Sequence, residues 1–377
     1  MQSKTKLDSN PTKKRGGPAY TSNLLHGCLD LLFYSGAARL LSLLTSGMGA
    51  LLMLHHVRPG GGLQEGFAPN SGLEITPEFL EGVILHLRGK GYDFLSMAEA
   101  VRRIRTGGRS GRRFAAFTID DAYRDILIHA WPVFHRHECP FTLFVAPSIT
   151  DGTCELWWRA LEAVIAGSSF LGIRLNGETI ALTTVTVSQK QAAWEKLYWP
   201  LRRLDANRQR DIIVKLCCEH GIDPEAICRA EAMDWDEVRA IAKDPLCTIG
   251  AHTIHHHALA KLPVKDAMAE ITGSVERIAA EIGRRPRFLA YPYGDALSAG
   301  EREFGLACAA GIEAAVTTRK GLIFPGHKQK LTALPRVSIN GGYQKLRYID
   351  VLLSGTAFAL WAGMHKGGLK RIAAFAE

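Results

Sequence analysis

The stretch FAAFTIDDAY, residues 114–123, joins an apolar run to two adjacent carboxylates. Residues 114–119, rich in aromatic and β-branched side chains, read as a buried strand. Asp120 and Asp121 end it. Like charges side by side repel, and burial makes both ionised forms costly. A surface loop would tolerate the pair; a bound cation explains it better.

Outward from this stretch, short apolar runs alternate with helical periodicity. Runs at 50–54, 92–95, 114–119, 141–146, 246–249, 287–291, 313–317 and 335–339 read as strands, and 77–90, 96–105, 123–137, 235–243, 264–283 and 298–311 as helices. Thr76-Pro77 is a good helix start, with Thr as cap and Pro at the first position. Such alternation predicts an α/β fold with a parallel sheet covered by helices, and seven or eight units predict a closed (β/α) barrel. The expected organisation is a disordered basic arm at 1–20, a helical segment at 21–49 with one helix over 22–47, the barrel at 50–340, and a helical tail at 341–377. A mainly helical insert at 150–233 interrupts the barrel. Its tryptophans 157, 158, 194 and 199 are expected to pack rather than bind, although an insert at this place suits a cover for the barrel mouth.

The 377-residue chain is 47% apolar and carries a net charge of +9. Residues 1–18 hold +4 and residues 320–377 hold +7, which leaves −2 on the span between. A nearly neutral body argues against a nucleic-acid partner, which needs a basic face on the folded domain. Basic ends suit loose attraction to an anionic membrane surface. Eight scattered cysteines without a CxxC pair signal neither a zinc ribbon nor a disulfide framework. With no clear signal peptide or membrane span, the expected address is cytoplasmic, with peripheral contact at the inner membrane left open.

In a barrel, residues just past the strands converge on one mouth. Besides Asp120 and Asp121, the run IGAHTIHHHALAKL, residues 249–262, follows a strand and carries His252 and His256 four residues apart. Two imidazoles and a carboxylate make a common three-ligand set for a hydrolytic divalent ion. The residues themselves do not choose the ion.

The segments FTIDDAYRD, GAHTIHHHAL and FLAYPYG resemble the first three motifs of the polysaccharide deacetylases, the NodB-homology family of the nodulation chitooligosaccharide deacetylase (carbohydrate esterase family 4). The resemblance covers about residues 110–320, less the insert. It implies a distorted (β/α) barrel, a divalent metal that is usually Zn2+, and hydrolysis of the C–N bond that holds an N-acetyl group on an amino-sugar oligo- or polysaccharide. It implies Asp120 as general base, Asp121, His252 and His256 as metal ligands, Thr253 as a hydrogen-bonding brace for the histidine loop, and the Tyr293 backbone N–H as oxyanion donor.

Four departures stand out. Ala122 replaces a glycine in a turn that favours unusual dihedrals. His257 replaces a proline and adds an imidazole that could compete for the ion. Ala290 stands where many members have an arginine that holds the base. No late Leu-x-His supplies the general acid, which leaves His55 and His56, and behind them His327, as candidates. Three other readings therefore stay open: an amidohydrolase acting on a small N-acyl or cyclic amide, a carbohydrate-binding relative without turnover, and a membrane-surface partner in envelope polysaccharide assembly. The glycan and the oligomeric state are not legible.

Overall fold

The computed structural model describes residues 18–62, 66–107, 111–175 and 177–366, with side chains described from Leu24 to Gly363. Seven parallel strands form the centre: β1 (Gly49–Leu54), β2 (Phe114–Ile119), β3 (Phe141–Val145), β4 (Cys247–Ala251), β5 (Phe288–Ala290), β6 (Ala314–Lys320) and β7 (Leu334–Ser338). Each pairs with the next in sequence, and β1 closes the ring by pairing with both β2 (Gly49↔Phe114 through Leu54↔Ile119) and β7 (Leu52↔Val337). The barrel is distorted. β4 and β5 share one paired position, Leu289↔Ala251, and the register between β6 and β7 slips between Val316 and Lys320. An eighth run, Asp93–Phe94, is a short appendage on the first residues of β2 rather than a stave of the ring.

Strands buried on both faces explain the uninterrupted apolar runs. Along β2, Ala115, Phe117 and Ile119 pack against the surrounding helices, whereas Phe114 and Ala116 fill the interior with Leu51, Phe144, Phe288, Ala290, Val316 and Leu334. Gly250 leaves the space that the Phe144 ring occupies, since a Cβ there would lie 2.5 Å from it. Side chains alternate along a strand, so Thr118 and then Asp120 also point inward.

The helices begin where their caps predict. Thr76 accepts a hydrogen bond from Phe79 N, and Ser96 and Glu99 form a capping box. The helix expected over 22–47 is instead two, Pro18–Tyr34 and Ala37–Thr45, broken at Gly36 (φ 72°) and bent by 86°. The first of these includes residues 18–20 of the expected disordered arm; the rest of the arm lies outside the described residues. Among the described residues, no single helix is long and apolar enough to cross a membrane. The tail holds helices Leu346–Leu353 and Thr356–Lys366.

The insert holds helices Trp157–Gly167, Val187–Arg203, Ala206–Glu219 and Pro224–Glu231, and also an antiparallel hairpin, Phe170–Leu175 with Glu178–Thr183, that the helical reading overlooked. It has its own core, in which Trp157, Trp158 and Trp194 are buried and Trp199 is exposed. Tyr123, Ala146 and Ile149 from the barrel loops join that core, which seats the insert on the end of the barrel where β2 and β3 finish.

Candidate active site

The strands deliver the site. Asp120 and Asp121 follow β2, His252 and His256 follow β4, and Tyr293 follows β5. Asp121 Oδ1 lies 3.3 Å from His252 Nε2 and 3.2 Å from His256 Nε2, and all three residues are buried. His252 Nδ1 donates to the Ala290 carbonyl at 2.7 Å, which leaves its Nε2 lone pair aimed at the carboxylate. Asp121 Oδ1 is buried without a hydrogen-bond partner, a costly arrangement unless another group meets it. Two nitrogens and an oxygen converging on one point fit a divalent cation.

The backbone bends sharply to achieve this. Asp121 (φ 73°), Ala122 (φ 53°), Thr253 (φ 60°), His256 (φ 55°) and Tyr293 (φ 61°) are all left-handed, a concentration of strain of the kind that functional sites hold. The methyl of Ala122 therefore sits in a turn that glycine would enter at less cost.

Asp120 answers the doubt raised by Ala290. Arg336 on β7, with Leu334 two residues before it in the barrel interior, reaches across and grips Asp120 with both arms: Nη1 to Oδ1 at 2.7 Å and Nη2 to Oδ2 at 2.6 Å. Its Nη1 also donates to Thr118 Oγ1 and its Nε to the Thr317 carbonyl. Burial pushes the Asp120 carboxyl up, but the Arg336 charge and hydrogen bonds outweigh it and hold the group below its ordinary range. An arginine in the middle of an apolar strand was the signal in the sequence, and it was missed.

The acid candidates separate. His55 Nε2 lies 3.9 Å from Asp120 Oδ2, and burial lowers its pKa. His56 faces away: its Nδ1 lies 2.7 Å from Asp125 Oδ2, Arg58 also grips that carboxylate, and the imidazole stacks on Tyr123 at 3.7 Å. His56 is thus engaged with Asp125, Arg58 and Tyr123 rather than with Asp120. His327 is also removed. It caps Phe324 N in a segment whose Ile323 pairs with Gly49, where β1 begins, at the end of the barrel opposite the aspartates.

Thr253 does not brace the histidine loop, because its hydroxyl is buried without a partner. Glu270 on helix Val264–Ile282 does so instead, accepting from Ile254 N at 3.0 Å, His255 N at 2.9 Å and His255 Nδ1 at 2.6 Å. His257 turns toward the same carboxylate, 3.7 Å away, and not toward the Asp121 cluster, so it does not compete there. These three side chains stand close enough to ligate an ion of their own, although Glu270 is already held by the backbone.

Tyr293 is fixed from several sides. Its hydroxyl accepts from Trp157 Nε1 at 2.8 Å, the Arg202 guanidinium lies 3.7 Å over its ring, and its carbonyl accepts from Thr318 Oγ1 at 2.6 Å. Among the described residues its N–H has no acceptor. Gly294 (φ 60°) lets the turn close on β6, where a Cβ would lie 2.5 Å from Thr318 N. Trp158 from the insert approaches the His256 ring at 5.1 Å, so the insert walls the cluster on one side.

A closed barrel with this carboxylate–histidine cluster at the C-terminal ends of its strands suits metal-assisted hydrolysis. The family model described as polysaccharide deacetylase matches residues 107–302, and the chain belongs to that family. It is therefore of a deacetylase class acting on carbon–nitrogen bonds, whose members depend on a metal and act on glycans. The matched span includes every residue of the cluster but neither His55 nor Arg336.

Among solved structures, the fold is similar to the Streptococcus pyogenes deacetylase PplD (TM-score 0.51, 15% identity, covering 78% of this chain and 92% of that one). A de-N-acetylase from Aggregatibacter actinomycetemcomitans gives a TM-score of 0.51 at 14% identity, covering 80% and 98%. A polysaccharide deacetylase from Bacillus cereus gives 0.50 at 15%, covering 81% and 68%. At such identities these likenesses concern the fold. No curated protein matches the chain.

Proposed function

We propose that this protein is a metal-dependent hydrolase that removes N-acetyl groups from an N-acetylated amino-sugar oligo- or polysaccharide, with Zn2+ as the ion and a chitooligosaccharide-like substrate. The observation that carries the reading is the pairing of two differently treated neighbours: Asp121, buried with an orphaned oxygen between two imidazole nitrogens, and Asp120, clamped by Arg336. The PplD structure was solved in complex with acetate, the product expected here.

Asp121, His252 and His256 would hold the ion, which when bound polarises an amide carbonyl and lowers the pKa of a bound water. Asp120, kept ionised by Arg336, takes a proton from the attacking water. The Tyr293 N–H, without an acceptor among the described residues, donates to the oxygen on which charge develops. His55, beside Asp120, returns a proton to the leaving amine. Because Arg336 restores the grip on the base and His55 stands within reach of it, the two features that favoured a relative without turnover lose their weight.

The test is acetate release from chitooligosaccharide. Release should stop with chelator, return with zinc, and fall by about 10²–10⁴-fold in Asp120→Asn. Full activity in chelator, or an unimpaired Asp120→Asn, would sink the reading.

A further inference from the structure

The helix Ala37–Thr45, AARLLSLLT, is turned inside out for a protein surrounded by water. Its small residue Ala38 is buried, whereas Leu40 is 70%, Leu43 83% and Leu44 85% exposed. The helix before it adds exposed Leu24, Leu31 and Tyr34, and the neighbouring helix Thr356–Lys366 adds Leu360. Over residues 24–45 the only charged side chains are Asp30 and Arg39, and Asp30 is turned inward to Arg347 Nε (2.6 Å) and the Tyr348 hydroxyl (3.1 Å). Large contiguous apolar surface of this kind marks an interaction site.

Charge identifies the occupant. Lys13, Lys14 and Arg15, with Lys4 and Lys6 upstream, run directly into the first of these helices, and Lys366, Lys370 and Arg371 end or follow the last. Apolar helices flanked along the sequence by lysine and arginine are the pattern of a segment lying in the interface of an anionic bilayer. A protein partner or a second copy would use the leucines but has no need of basic residues on both sides of them in the sequence. We infer that the bent helix pair Pro18–Tyr34 and Ala37–Thr45, with helix Thr356–Lys366, docks the protein on an anionic lipid surface. The helix Ala37–Thr45 runs into β1 at Gly49, whereas the helix before it packs through His26 on Tyr343 and Tyr348, past the end of β7, so the surface runs along the side of the barrel.

The experiment is flotation of the full chain with vesicles of phosphatidylglycerol and phosphatidylcholine, against phosphatidylcholine alone. The wild type is expected to float with the anionic vesicles and to be released by high salt. The triple variant Leu40→Ser/Leu43→Ser/Leu44→Ser should bind at least about tenfold more weakly, as should Lys13→Gln/Lys14→Gln/Arg15→Gln. Leu40, Leu43 and Leu44 lie outside the candidate active site, and an unchanged thermal melt shows that the variants fold. No flotation of the wild type would overturn the inference. So would unchanged flotation of the leucine variant, or a wild-type dimer that dissociates in that variant without any lipid binding.

Discussion

Replacing Arg336 by glutamine removes the charge that faces Asp120 while keeping most of the side-chain volume. Both partners are almost wholly buried and share two short hydrogen bonds, 2.7 and 2.6 Å. Opposite charges about 4 Å apart at an effective dielectric constant of about 20 attract by about 4 kcal/mol, which favours the ionised form of Asp120. Removing one member of a buried pair typically costs about 3–5 kcal/mol, because the other is left uncompensated. Two readouts follow. In urea titrations at neutral pH, Arg336→Gln should be destabilised by about 3–5 kcal/mol. The folded-state pKa of Asp120 is depressed, so its stabilising contribution is present above the unfolded value and lost as pH falls through the folded one. The gap between wild type and variant should therefore close in acid, below about pH 4. In acetate-release assays, the acid limb of kcat/KM should move to higher pH, since burial raises the Asp120 carboxyl and the Arg336 charge that opposes it is gone. A variant of wild-type stability whose acid limb stays where it is in the wild type would refute the reasoning.

Other outcomes are expected at single positions. His252→Ala and His256→Ala should each lose stoichiometric metal, read by elemental analysis of the purified protein after exposure to zinc and dialysis. His55→Gln should lower kcat by about 10²-fold or more, whereas His56→Gln should chiefly lower the melting temperature through its lost contact with Asp125. Thr253→Val should be neutral or slightly stabilising in urea titrations, because the hydroxyl it removes is buried and unpaired. Glu270→Gln should cost about 1–3 kcal/mol, because its amide oxygen can serve the two backbone N–H groups but its NH2 cannot accept from His255 Nδ1, and it should weaken metal binding by loosening the loop that carries His252 and His256.

Much of this protein was legible in the chain itself. Strands buried on both faces must be apolar throughout, so the staves of the barrel stood out as runs, and their alternation with helices set their sequential order round the ring. The cluster of Asp121, His252 and His256 was legible for a related reason: residues that follow parallel strands meet at one mouth however far apart they lie along the chain. The hairpin at 170–183 was legible in principle, through the alternation of Leu171, Ile173 and Leu175, but helices on both sides masked its shorter period. Tertiary structure alone decided the remainder, because it turned on direction rather than residue type. Adjacent residues leave a strand end on opposite sides, so His55 meets Asp120 while His56 meets Asp125. Arg336 and Asp120 lie 216 residues apart and meet only because the barrel closes with both side chains pointing inward. Glu270 displaces Thr253 as the brace because helix packing brings its carboxylate under the loop. Periodicity marked Leu40, Leu43 and Leu44 as one helix face but could not say whether that face turns toward a core. It turns outward, because neighbouring helices take up the opposite side at Ala38.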